Sequence, residues 1–284
     1  MEPRQRTAQL AALARRRAES ARLRGENADK IADRYERLVA LTGDQEAAHL
    51  AALHHSSAQR HYASAALQET YARRVLNWQR QGGDRPRFMT GVAEACGTPS
   101  AALSLHAADH GQLAVAASDE ASRTAQDLEF LLGEGPTWEA VATAAPVSAC
   151  GAELSWRWPG YGPQLALVGL QTVSVIPISA QGGSLGALAV FGTRAEPLDS
   201  SALAPVADAL TCSLLDAGAG VGDDDLYGGI DHRAVVHQAT GIVAVRLGCS
   251  VEDALSLIKA RAFAEDGPLD TLARRIVQGE LSLE

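Results

Sequence analysis

Apolar residues recur at helical spacing from the start of the chain, at Leu10 and Leu13 and then at Ile31, Tyr35, Leu38 and Leu41. The intervening residues are good helix formers, and no proline falls between Pro3 and Pro86. Thr42-Gly43-Asp44 breaks the pattern, Gly43 as a helix stop and Asp44 as a cap for the next helix. A second stripe runs through Ala47, Leu50, Ala51, His54, Ala58, His61, Ala65, Tyr71, Val75 and Trp78. Both stripes are narrow. Folded as a hairpin or laid out as a rod, the two helices are expected to need a partner chain, and so a homodimer. The period then drops to two. Residues 101–107 and 112–118 read as strands around a polar turn, and residues 173–179 and 185–191 as strands around a turn at 181–184. Pro177 inside a strand calls for an edge or a bulge. Helical spacing returns at 121–132, 139–143 and 199–215. Strands, helices, a hairpin and a closing helix make an α+β domain with an antiparallel sheet.

Residues 218–230 hold five glycines and Asp223-Asp224-Asp225, the composition of a linker. Three short helices come next. Asp231 is placed to cap the first, whose stripe is Val235, Ala239, Ile242, Val243 and Leu247 before Gly248. Ser250 with Asp253 opens the second, over Ala254, Leu255, Ile258 and Ala262, and Asp266-Gly267 ends it. Pro268 starts the third, over Leu269, Leu272, Ala273, Ile276 and Val277, and Gly279 stops it. The expected organisation is a helical region at 1–82, an α+β domain at 83–217, a linker at 218–230 and a three-helix bundle at 231–284.

Charge divides the chain into three parts as well. Residues 1–90 carry 16 basic and 10 acidic side chains, residues 91–230 carry 3 and 16, and residues 231–284 carry 6 and 8, for a total of −9 over 284 residues. This balance excludes a protein that coats nucleic acid non-specifically, and leaves room for a local site. There is no apolar signal core at the start and no membrane-length apolar run, so a cytoplasmic protein is expected. Cys96, Cys150, Cys212 and Cys249 form no CxxC pair. His54, His55 and His61, or His106 and His110, lack carboxylate and thiol company at ligand spacing, so neither a metal nor a cofactor is expected. No GxSxG, Walker loop or HExxH occurs, which argues against an enzyme.

Arg233-Ala-Val-Val-His-Gln-Ala-Thr-Gly-Ile-Val-Ala-Val-Arg-Leu-Gly248, continued through Ala254, Ala262-Phe263, Leu269, Ala273 and Val277, resembles the ANTAR domain. Leu132-Gly-Glu-Gly-Pro136, Pro146-Val147, Arg157-Trp-Pro-Gly-Tyr161, Gly169, Ile176-Pro-Ile178 and Gly186-Ala-Leu188 occur in the order and spacing of a GAF domain. The ANTAR resemblance implies a dimer that binds tandem RNA hairpins in nascent leaders and so prevents an overlapping terminator from forming. The GAF resemblance implies control by an unidentified small-molecule ligand or a partner. Many ANTAR modules carry Lys where this chain has Thr240, so a ligand-sensing or interaction module that has lost RNA binding is the alternative. A thiol reductase of the GAF type would need Cys96, Cys150 and Cys212 to meet.

The residues expected at RNA are Arg233, His237, Gln238, Gly241, Arg246, Lys259, Arg261, Arg274 and Arg275. The cations would neutralise phosphates, and His237 and Gln238 would meet splayed bases. Ala239, Gly241, Ala254 and Ala273 also read as close-packing positions. Trp138, Trp156, Trp158 and Tyr161 are expected to wall a ligand cavity in the GAF-like domain.

Overall fold

The computed structural model describes residues 3–81, 86–107, 112–180, 183–199, 201–216, 231–265, 267 and 269–283. In chain order the elements are α1 (Pro3–Thr42), α2 (Gln45–Gln81), α3 (Phe88–Ala95), β1 (Ser100–His106), β2 (Gln112–Ala117), α4 (Glu120–Leu132), α5 (Pro136–Thr143), β3 (Val147–Cys150), α6 (Ala152–Arg157), α7 (Tyr161–Leu167), β4 (Thr172–Ala180), β5 (Gly183–Gly192), α8 (Leu203–Asp216), β6 (Asp231–His232), α9 (Ala234–Leu247), α10 (Val251–Ala264) and α11 (Leu269–Val277). They form two compact units, Met1–Pro99 with Asp199–Gly229, and Ser100–Leu198 with Ile230–Glu284. The class is α+β. The expected linker at 218–230 and turn at 108–111 lie outside the described residues, as do Gln181, Gly182, Asp266 and Pro268.

In the first unit α1 and α2 form an antiparallel hairpin, not a rod. Gly43 turns the chain at φ +67°, and the Asp44 side chain accepts from the Glu46 N–H at 2.9 Å. The seam is made of small residues. Ala11, Ala14, Ala18, Ala21, Ala28 and Ala32 are buried at alternating three- and four-residue steps broken only at Gly25, Ala47, Ala51, Ala58, Ala65 and Ala72 of α2 are buried too, and Ala18, Ala21 and Ala65 form one cluster. Side chains this short let two helix backbones approach closely, so the hairpin closes on itself. Leu10 of the sequence stripe is buried with this seam, but the large residues of its later half stay outside. Ile31 and Leu38 are exposed, Leu41 is 86% exposed, and Tyr35 stacks on His54 at 5.8 Å. Cross-hairpin polar contacts fix the register. Arg22 pairs with Glu69, Tyr62 donates to Asp29 at 2.8 Å, and His55 lies between Asp29 and Glu36. The latter two hydrogen bonds raise the His55 pKa. α3 and α8 also pack on α2, through Tyr71 against Phe88 and through a 2.8 Å Ser64–Ser213 hydrogen bond. Both belong to this unit.

In the second unit six antiparallel strands run in the order β3-β4-β5-β1-β2-β6. β1 and β5 are central and buried along almost their whole length. β3 pairs with β4 only as far as Val147 opposite Val175, and the register shifts between Ile178 and Ser179. Pro177 thus sits where β4 has an open side beside a bulge, a place that tolerates a residue without an N–H. Against the sheet pack α4, α5, α6 and α7, burying Ala125, Ala140, Leu154, Trp158, Tyr161 and Leu165 with Val173, Val175 and Phe191. The GAF-like motif residues hold this layer together. Glu134 accepts from the N–H groups of Gly160 at 2.6 Å and Tyr161 at 2.9 Å, Arg157 pairs with Glu139, and Trp158 meets Tyr161 edge-on at 6.4 Å.

Candidate nucleic-acid interface

α9, α10 and α11 bury Val236, Ala239, Val243, Ala254, Ile258, Ala262, Leu269, Leu272, Ala273 and Ile276 in one core. The caps are local and chemical. Ser250 accepts from the Asp253 N–H at 3.0 Å, and Gly248 and Gly279 end their helices at positive φ. The N-cap of α9 is Arg233, not Asp231. Asp231 instead pairs with Val115 as part of β6, because the segment extends the sheet before it enters the helix. Val236 is fully buried and Val235 packs half-buried against the same core.

The six cations do not share one surface. Arg233 is 2% exposed, among the largest fully buried side chains. It donates to Gln112 Oε1 at 3.0 and 3.2 Å and to Asp127 Oδ1 at 2.5 Å, and its guanidinium lies 4.7 Å from the centre of the Phe130 ring. Lys259 sits 4.3 Å from the same ring. Burial and the nearby Arg233 charge push its pKa down to about 8. Arg261 pairs with Glu265 at 2.6 Å, Arg275 with Glu265 at 3.3 Å and Arg274 with Asp270 at 3.3 Å. Arg246 is exposed and makes no ion pair among the described residues. The expectation of a gathered basic face is therefore corrected at Arg233, which faces inward because its partners lie on β2 and α4.

The polar part of the expected set does share a surface. At 100° per residue His237, Gly241, Val245 and Gln238 lie within about 100° of one another around α9. His237 and Gln238 are exposed and Gly241 half-buried. A methyl group built on Gly241 meets nothing within 4 Å, so this glycine is a bare patch rather than a packing contact. Ala239, Ala254 and Ala273, by contrast, are fully buried packing positions.

The four aromatics expected around a ligand do not form one wall. Trp156 is 83% exposed, Trp158 and Tyr161 belong to the core, and Trp138 meets the His106 ring edge-on at 5.9 Å. Short helices and turns at 152–161 point successive aromatics in different directions. Sequence spacing missed a buried polar group close by. Glu129 is fully buried and caps α5, accepting from the N–H groups of Thr137 and of Trp138, the latter at 3.0 Å. Burial pushes its pKa up to about 7 against the pull of these donors. Gln126 donates to Glu129 Oε2 at 3.2 Å and to Thr137 Oγ1 at 3.1 Å, and Gln112 donates to Gln126 Oε1 at 3.3 Å. With Arg233 on Gln112, the donors all point one way, from guanidinium through two amides to carboxylate. The available signal was the helical spacing of polar residues, Ser122, Gln126 and Glu129, on the same side of α4 as the buried Ala125. Among the described residues the buried Trp138 Nε1 and Tyr161 Oη atoms meet no hydrogen-bond partner. No disulfide joins Cys96, Cys150, Cys212 or Cys249 among the described residues, and His110 lies outside them.

The model of one protein family, the ANTAR domain, matches residues 224–277. Those residues are an ANTAR domain. No curated protein matches the chain. Solved structures do. One is a domain assigned to a two-component sensor histidine kinase protein of Sinorhizobium meliloti, 17% identical, over 46% of this chain and 88% of that one, with a TM-score of 0.38. Two others are GAF domains of phosphoenolpyruvate-protein phosphotransferases. The one from Acinetobacter is 12% identical over 54% of this chain and 97% of that one, TM-score 0.31, and the one from Coxiella burnetii is 16% identical over 56% and 99%, TM-score 0.33. Within the ANTAR domain Thr240 is buried and its hydroxyl donates to the Val236 carbonyl at 2.8 Å. Position 240 is turned into the bundle here, so Thr240 takes no cation from the exposed face of this ANTAR domain. Among the described residues no helix is long and apolar enough to cross a membrane.

Proposed function

We propose that the chain is a signal-responsive transcription antitermination regulator whose ANTAR domain binds tandem hairpins in leader RNA and whose GAF-like domain receives a small ligand or a partner. One observation carries the reading: the stretch that matches the ANTAR family presents His237, Gln238 and Gly241 together on an open helix face. RNA loops are read through unstacked bases, by edge hydrogen bonds and stacking. His237 and Gln238 supply both kinds of contact, and Gly241 lets a phosphodiester backbone come close. Arg246, at the last turn of the same helix, supplies a phosphate contact. The Trp138 Nε1 and Tyr161 Oη donors near Glu129 support ligand reception. Leu23, Ile31, Leu38, Leu41 and Leu53 outside the hairpin seam support a homodimer formed through that surface.

The test is filter retention of a synthetic pool of two-hairpin RNAs by the full chain at low salt. The wild type retains RNA, and His237→Ala with Gln238→Ala lowers retention at least about tenfold. Equal retention by both defeats the reading. A second reading, a sensing or interaction module without RNA, draws on the pairing of Arg261, Arg274 and Arg275 with carboxylates. It predicts no retention by the wild type at any salt concentration.

A further inference from the structure

The ANTAR bundle does not stand free. Phe130 and Leu131 of α4 pack into its core. β6 continues the sheet alongside β2, and the Arg233 N–H donates to the Leu113 carbonyl at 2.9 Å. Two cations of the bundle, Arg233 and Lys259, lie over the Phe130 ring, and Arg233 also holds Asp127 and Gln112. Bringing two like charges to one buried ring is unfavourable unless the ring faces, a carboxylate and an amide oxygen offset it. All three are present, and all three come from the sensor domain.

We propose that this contact is an autoinhibitory latch: while Arg233 and Lys259 clasp Phe130 and Asp127, the ANTAR domain withholds two of its six cations from RNA. The inference rests on the RNA-binding reading above. The latch is wired to the sensor interior. Arginine only donates hydrogen bonds, and Glu129 accepts at both oxygens, from the Thr137 and Trp138 N–H groups at Oε1 and from Gln126 at Oε2, so both ends of the line Arg233–Gln112–Gln126–Glu129 fix its direction. A donor introduced at Glu129 Oε2 requires Gln126 to present its oxygen. Gln126 then turns its amide nitrogen toward Gln112, whose own nitrogen turns against the Arg233 guanidinium. Thr137 accommodates the reversal, because its hydroxyl donates as readily as it accepts. A change at Glu129, beside Trp138 and Tyr161, thereby loosens a contact on the ANTAR domain.

The experiment compares full-length wild type with Asp127→Asn, Phe130→Leu and Glu129→Gln. Asp127→Asn removes the charge partner, Phe130→Leu keeps bulk and removes the ring, and Glu129→Gln places a donor at the far end of the line. Hydrogen exchange of α9 amides reads the latch, and retention of the two-hairpin RNA pool across a salt series reads its consequence. All three variants should exchange faster in α9 and retain RNA about tenfold better. Their log–log salt dependence should steepen by about 1.4–1.8, the contribution of two more neutralised phosphates. Unchanged α9 exchange in Asp127→Asn and Phe130→Leu overturns the latch. Faster exchange with wild-type retention and slope also overturns it, while leaving the RNA reading intact. Absence of retention by every protein, with exchange accelerated, overturns the RNA reading and with it the role given to the latch. If Glu129→Gln alone exchanges like wild type, the line does not transmit.

Discussion

Gly241 separates stability from recognition. It lies inside α9, its φ is not positive, and a built Cβ meets nothing within 4 Å. Alanine there is compatible with the fold and removes the entropic cost of glycine in a helix interior, a gain of about 1 kcal/mol. For a cooperative unit of this size the gain corresponds to a rise of about 2–4 °C in Tm. Glutamine gains nearly as much, but its side chain stands on the exposed face between His237 and Val245, one turn to either side. Gly241→Gln should therefore melt higher than wild type and retain two-hairpin RNA about tenfold less well, with Gly241→Ala between the two in retention. Thermal unfolding by circular dichroism and filter binding on the same preparations give both numbers. Wild-type retention by Gly241→Gln refutes the assignment of this face to RNA, and a lower Tm for Gly241→Ala refutes the open environment of the position.

Glu129 should make the fold pH-dependent. Its pKa lies at about 7 against an ordinary 4.5, raised by burial. The protonated form is favoured in the fold, so its contribution is complete below pH 4.5 and falls by about 3 kcal/mol as pH rises to 7. Urea unfolding across that range should show the slope, and Glu129→Gln should flatten it whatever its own offset. His55 has the opposite charge and the same direction, its pKa raised by hydrogen bonds to Glu36 and Asp29. Hairpin stability from this group is present below pH 6.5 and lost as pH rises through the folded value; a His55 ring titrating at or below 6.5 by NMR contradicts this. Ala18 is buried in the seam with Ala21 and Ala65. Ala18→Leu should splay the hairpin at a cost of about 1–3 kcal/mol by overpacking, read as faster exchange along α1 and α2, whereas unchanged protection contradicts the small-residue seam.

The local parts of this fold are legible in the sequence, and the long-range parts are not. Ser250, Gly248 and Gly279 act within one turn of themselves, and the third-helix stripe of Leu269, Leu272, Ala273 and Ile276 is buried as its spacing requires. In α1 Ile31, Leu38 and Leu41 led away from the true seam, because large residues dominate a hydrophobic stripe while close helix pairing selects alanine. β3 and β6 are too short to show a period. Arg233 reads as a surface cation because nothing nearby in sequence pairs with it. Its partners Asp127 and Gln112 are 106 and 121 positions away, and only the folded sheet brings them to it.

The central claim, that this ANTAR domain takes structured RNA, is tested most directly by sequencing the RNA that co-purifies with tagged full-length protein. The account predicts enrichment of leader segments that contain two adjacent hairpins, and loss of that enrichment in the variant carrying both His237→Ala and Gln238→Ala. An RNA population indistinguishable from that of an untagged control contradicts it.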